Sequence, residues 1–142
     1  MPQSPVITDQ QAITERYRAT VEAGDVETLA GLYHPEALLD AHVPNWRFQL
    51  QGRHAVAETT GTGLPGPGRF AAFHVEPTAS GDLLVQFEWR QDEDQGGHVS
   101  RELHIWRLDD AGRIAEQIVY CAGVWSPQLQ AQMADEAPLI RP

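Results

Sequence analysis

Apolar side chains recur along this chain with two different periods, and the change of period divides it. Ile13, Tyr17 and Val21 are spaced by four, which predicts a helix running to Gly24. Thr8, with Gln11 three residues later, resembles a capping box at its start. Asp25 can cap a second helix, with Val26, Leu29, Leu32 and Tyr33 on one side. That helix stops at His34, because Pro35 disfavours a helical predecessor. "EALLDAHV" (36–43) reads as a short strand, "PNWRFQLQG" as a loop or edge segment, and "RHAVAETTG" (53–61) as a third helix. "GTGLPGPGR" (61–69) has too much glycine and proline for a regular element and reads as a flexible loop.

Beyond residue 70 the period falls to two, and strands are expected at about 70–78, 82–91, 98–108 and 113–125. Their connections, "SGD", "DEDQGG" and "DDAG", are too short for parallel crossovers, so the strands form an antiparallel meander. The order predicts an α+β fold, a curved antiparallel sheet packed on three N-terminal helices. One domain spans 1–142, with its core at about 9–125. A polar tail, 126–142, is either loose or a short helix.

Hairpin length sets register, and register sets which side chains share a face. With "DDAG" as the last loop, Leu108 opposes Arg113, His104 opposes Gln117, Glu102 opposes Val119 and Trp106 opposes Ala115. With "DEDQGG" as the preceding loop, Trp89 opposes Ser100, Phe87 opposes Glu102 and Val85 opposes His104. One face then collects Val85, Phe87, Trp89, Glu102, His104, Trp106, Gln117, Val119 and Cys121. These would line a concave pocket beneath the helices. The other face collects Leu103, Ile105, Ile118 and Tyr120, bordered by charges such as Glu88 opposite Arg101. Such a rimmed apolar patch marks a partner surface, here a homodimer interface.

The formal net charge of −10 repels phosphate backbones and anionic membranes, so neither nucleic acid nor a membrane is an expected partner. The single cysteine, Cys121, suits a reducing compartment. The N-terminus lacks the pattern of a signal peptide, and "IVYCAGVW" is too short to span a bilayer. A soluble cytoplasmic protein is expected.

Three stretches, "RYRATVEAGDVETLAGLYHPEALL", "QGRHAV" and "IWRLDDAGRIAEQIVY", resemble the nuclear-transport-factor-2-like superfamily. These are cone-shaped α+β domains that include ketosteroid isomerase and the SnoaL-like polyketide cyclases. The resemblance covers about residues 9–125. It implies a pocket between the concave sheet and the helices, and dimers through the sheet. It places Tyr17 at the isomerase's oxyanion-binding tyrosine, Tyr33 at another pocket tyrosine, and His104 at its protonated aspartate. Ala41 stands where the proton-shuttling aspartate would be, so the isomerase mechanism does not carry over intact.

Within this frame His104 is the candidate acid/base, since a free imidazole titrates at about pH 6.5. Glu102 lies roughly 6.5–7 Å away at Cα on the same face and would orient the ring. Tyr17 could donate to a developing oxyanion. Tyr33, Trp46, Val85, Phe87, Trp89, Trp106, Gln117, Val119 and Cys121 are the candidate substrate-binding residues, suited to a small hydrophobic molecule. No histidine spacing such as HxxxH supports a metal, and no cofactor motif is present, so neither metal nor cofactor is expected. Three functions stay open: cofactor-free acid–base catalysis (isomerase, cyclase, dehydratase or epoxide hydrolase type), non-catalytic binding of a small molecule, or an interaction module with a filled core and a partner docking on the sheet.

Overall fold

Helix α1 (Asp9–Ala23) buries Ile13, Tyr17 and Val21, the stripe that their spacing predicts. This computed structural model describes residues 9–141, so the Thr8 cap lies outside the described residues. The helix ends where Gly24 takes a left-handed backbone (φ 67°) that a side chain would resist. Asp25 then caps α2 (Val26–Ala30), accepting from the Thr28 amide at 3.1 Å and the Thr28 hydroxyl at 2.6 Å. This second helix is shorter than expected. Tyr33 lies outside it and opens strand β1 (Tyr33–Val43), because the parallel pairing of Tyr33 with Ile114 takes over there.

A two-residue turn with Asn45 at φ 62° leads into β2 (Trp46–Gln51), which pairs with β1 from Val43–Trp46 to Leu38–Gln51. The segment left between loop and edge is thus an edge strand. Helix α3 (Arg53–Thr62) follows, then β3 (Gly68–Pro77), β4 (Leu83–Gln91), β5 (Val99–Leu108) and β6 (Ile114–Trp125). Gly68 is required at the start of β3, because a Cβ there would lie 2.4 Å from the Arg90 carbonyl and 2.8 Å from the Trp89 ring.

The six strands form one curved, open sheet in the order β2-β1-β6-β5-β4-β3. The meander from β3 to β6 is antiparallel as expected, but β1 and β6 run parallel and join it to the β1–β2 hairpin. Helix α3 packs on α2 and β1, and α1 packs on β3. The segment beyond β6 forms helix α4 (Pro127–Glu136), capped by the Ser126 hydroxyl at 3.1 Å from the Leu129 amide. Among the described residues, no helix is long and apolar enough to cross a membrane.

Register decides the faces. Strands β4 and β5 pair as the hairpin length predicts: Val85–His104, Phe87–Glu102, Trp89–Ser100. Strands β5 and β6 pair two residues further along than expected: His104–Val119, Glu102–Cys121, Trp106–Gln117. Leu108 opposes Ile114 rather than Arg113, and an irregularity between Arg107 and Leu108 adds the remaining offset. From Arg107–Glu116 to Glu102–Cys121 the slip is two residues, which keeps side chains on their faces, so the inner and outer assignments of Glu102, His104, Trp106, Gln117, Val119 and Cys121 survive.

Candidate active site

The inner face of β5 presents Glu102, His104 and Trp106 in a row, since alternate residues of a strand share a side. Their polar atoms form a chain. The Trp106 indole N–H donates to His104 Nδ1 at 3.1 Å, and His104 Nε2 lies 2.7 Å from Glu102 Oε1. Trp106 is 0% exposed and His104 1%, while the Glu102 side chain retains 12%. The chain therefore runs from the core outward to a carboxylate with some access.

Tyr17 comes down from α1 onto the same row. Its ring meets Trp106 edge-on at 4.6 Å between centroids and His104 at 6.4 Å. Its hydroxyl is buried and has no hydrogen-bond partner among the described residues. Burial foremost, then Tyr33 and the charge of Glu102, push Tyr17 ionisation well above the ordinary value, so the phenol stays a donor. Cys121, across from Glu102 on β6, is likewise held as a thiol, first by burial and then by the Glu102 charge.

These groups border a cavity of about 90 Å³ at the β1–β6–β5 half of the concave face. Of the expected site residues, Tyr17, Glu102, His104, Gln117, Val119 and Cys121 line it. The others do not. Trp46 is 71% exposed at the head of the edge strand. Tyr33 lies behind the wall, donating to Gln117 Oε1 at 2.5 Å, while Gln117 Nε2 donates to Thr60 Oγ1 at 3.2 Å. Burial raises its ionisation too.

Val85, Phe87, Trp89 and Trp106 belong to the packed core and do not line this cavity. Over Phe87 and Trp89 the reason is Phe70 on β3, 4.8 Å from Phe87 and 5.0 Å from Trp89; over Trp106 it is the ring of Tyr17. Trp89 serves instead to pin the loop before β3, its indole N–H donating to the Pro65 carbonyl at 2.9 Å. That loop is thus held, and its Leu64 is buried as one wall of the cavity.

The remaining wall comes from Ala41 and from residues with no role in the sequence analysis, notably Phe48 on β2, Thr59 and Thr60 at the end of α3, and Leu39 and Val43 on β1. Phe48 was findable: Phe48 and Leu50 alternate with Arg47, Gln49 and Gln51, a strand pattern. Asp40 and His42, the neighbours of Ala41, face outward, as alternation requires. Asp40 pairs with Arg47 through two contacts of 2.9 Å, and His42 stacks on Tyr120 at 4.3 Å.

A family model for the SnoaL-like domain matches residues 14–117. The chain belongs to the SnoaL-like family. Solved structures agree on the fold of this SnoaL-like chain. One is RV0760c from Mycobacterium tuberculosis, with a TM-score of 0.68 at 14% identity over 89% of this chain and 97% of that one. An NTF2-like protein of Mesorhizobium loti superposes with a TM-score of 0.60 at 23% identity, over 86% and 98% of the two chains. SalBIII, described as an epoxide hydrolase/cyclase-like enzyme in pyran ring formation in the polyether salinomycin, gives 0.66 at 14% identity over 82% and 95%. A search of curated proteins gave no match.

Proposed function

We propose that this SnoaL-like domain is a small-molecule enzyme that carries out cofactor-free acid–base chemistry on a hydrophobic, oxygen-bearing substrate. The reaction would be an isomerisation, cyclisation, dehydration or epoxide opening. One observation carries the reading: a buried Trp106–His104–Glu102 chain ends at a cavity that Tyr17 also lines, and the buried Tyr17 hydroxyl has no partner among the described residues. A carboxylate beside a poised donor in an apolar cavity is the equipment for moving a proton while an oxyanion is stabilised. The likeness to SalBIII supports the fold as a host for such chemistry.

The roles within the row differ from the simplest expectation. Both nitrogens of His104 are engaged, so the atom of the pair with capacity to spare is the second oxygen of Glu102. In the proposal Glu102 takes and returns the proton, His104 holds Glu102, and Tyr17 donates to the substrate oxygen. Sites for drug-sized ligands run to about 300–1,000 Å³. A substrate of polycyclic size would therefore need Leu64 and its loop to shift outward from the 90 Å³ cavity.

A second reading, binding without turnover, has its own support. Glu102 is the only carboxylate lining the cavity among the described residues, and Ala41 supplies no second one. A thermal-shift screen with steroids, aromatic phenols, terpene epoxides and aliphatic controls gives ligands for either reading, because binding to the native state raises the melting point. Chemical conversion of a hit, lost in Glu102→Gln, supports catalysis. Hits that stay intact over hours of incubation with wild type support binding.

We also infer that two copies pair through the outer face of the sheet. Leu103, Ile105 and Ile118 are half-buried there and Tyr120 is 48% exposed. Around them Arg107 bridges Glu116 at 2.8 Å and Asp82 at 3.5 Å. The expected Glu88–Arg101 pair does not form, although the two residues are in register; Glu88 binds Arg90 at 2.6 Å instead. Arg101 has no ion-pair partner among the described residues, which leaves it for the second copy.

A further inference from the structure

We propose that Trp106 is a positioning residue that clamps His104 as its neutral Nε2–H tautomer. The pair then exchanges protons with the cavity only through Oε2 of Glu102. The first part stands on hydrogen-bond geometry alone; the second rests on the acid–base reading given above.

An indole N–H can only donate. Across 3.1 Å from it, His104 Nδ1 must therefore present its lone pair. An imidazolium, or the Nδ1–H tautomer, would set two N–H groups against each other. Neither ring can turn aside. Trp106 and His104 are buried, Phe87 from β4 packs edge-on against the imidazole at 5.1 Å, and Tyr17 from α1 closes the other side. Flipping the imidazole would put carbon atoms against both partners and break both bonds.

With Nδ1 bare, the single proton of a neutral imidazole lies on Nε2 and is donated to Glu102 Oε1 at 2.7 Å. The reverse arrangement, a protonated Glu102 donating to Nε2, would need a proton on Nδ1 and fails by the same clash. Oε1 is thus always an acceptor, and a proton on Glu102 can reside only on Oε2.

A carboxylate so close would ordinarily favour an imidazolium. Here the indole opposes it, and the other titratable groups facing the site offer no further negative charge. Tyr17 from α1 and Cys121 from β6 are both held in their protonated, uncharged forms. In a Ser-His-Asp triad the carboxylate orients and the imidazole moves the proton. In this row the order is inverted, because the far nitrogen of the imidazole is occupied by the indole and the carboxylate borders the cavity.

The test is a long-range proton–nitrogen correlation spectrum of the ¹⁵N-labelled full chain at neutral pH, which distinguishes the two imidazole tautomers and the imidazolium. His104 is expected to show a protonated Nε2 and a bare Nδ1. An Nδ1–H tautomer, or an imidazolium, overturns the clamp. In Trp106→Phe, which keeps an aromatic ring and loses the donor, a proton-bearing Nδ1 is expected to appear in the spectrum; an Nδ1 that stays bare there removes the role given to Trp106. Should that variant fail to fold, a coupling across the N–H···N bond between Trp106 Nε1 and His104 Nδ1 in wild type decides the matter, its absence overturning the clamp. None of these readouts needs a substrate. A clamped His104 together with full turnover in Glu102→Gln would keep the clamp and refute the acid–base reading, and a His104 with a protonated Nδ1 and an inactive Glu102→Gln would do the opposite.

Discussion

Glu102 and His104 are two residues apart on one strand, and their side chains meet at 2.7 Å. Strand alternation puts them on the same side, and the slight access left to Glu102 gives the pair a direction, from core to cavity.

Glu102→Gln keeps size and hydrogen-bonding capacity but removes the proton acceptor. Turnover is expected to fall by about 10²–10⁴, with ligand affinity by thermal shift or calorimetry nearly unchanged. Full activity in this variant would place the chemistry elsewhere.

Tyr17→Phe separates function from stability. The hydroxyl is buried without a partner among the described residues, and such a group costs folding free energy, so its removal should leave stability equal or raise it by up to about 1–3 kcal/mol. If the hydroxyl serves a substrate oxyanion, kcat should drop by about 10²–10³. Urea titrations and kinetics on the same sample check both. Marked destabilisation would mean the hydroxyl has a partner in solution.

The Asp40–Arg47 pair on the outer surface predicts a pH signature. Its hydrogen bonds to Arg47 hold the Asp40 carboxyl below its ordinary 3.8. A depressed folded-state value stabilises the protein above the unfolded value, and that contribution fades as pH falls from about 4 through the lower folded value. Arg47→Ala should therefore lower the thermal midpoint modestly at neutral pH, with the gap to wild type closing under acid. A gap that widens below pH 4 would contradict the assignment.

Pairing of two copies through the outer face predicts that Ile105→Asp, which sets a charge in the middle of the apolar patch, yields monomers in sedimentation velocity. Ile105 lies opposite Ile118 in the sheet, so a second copy would desolvate both. An unchanged mass would show that the face is not an interface.

Much of the fold was legible because it depends on short-range rules. The four-residue spacing of Ile13, Tyr17 and Val21 specifies one buried stripe, Gly24 and Asp25 punctuate the helices, and hairpin lengths leave little choice of register between β4 and β5. The division of β5 into an inner Glu102–His104–Trp106 row and an outer Leu103–Ile105 row follows from alternation alone. It outlasted an error of two residues in the β5–β6 pairing, because an even slip preserves faces.

The rest depended on residues distant in sequence. Parallel pairing of β1 with β6 joins segments some eighty residues apart, which no local pattern encodes. Phe70 over Phe87 and Trp89, with Tyr17 over Trp106, turned part of the concave face into solid core, and the outward-standing Trp46 yielded its expected place to Phe48. Sequence by itself determined which side chains share a face, since strand geometry is local. Only the tertiary structure decided which of them meet empty space and which group faces each nitrogen of His104, because packing volume and hydrogen-bond partners are set by whatever else arrives there.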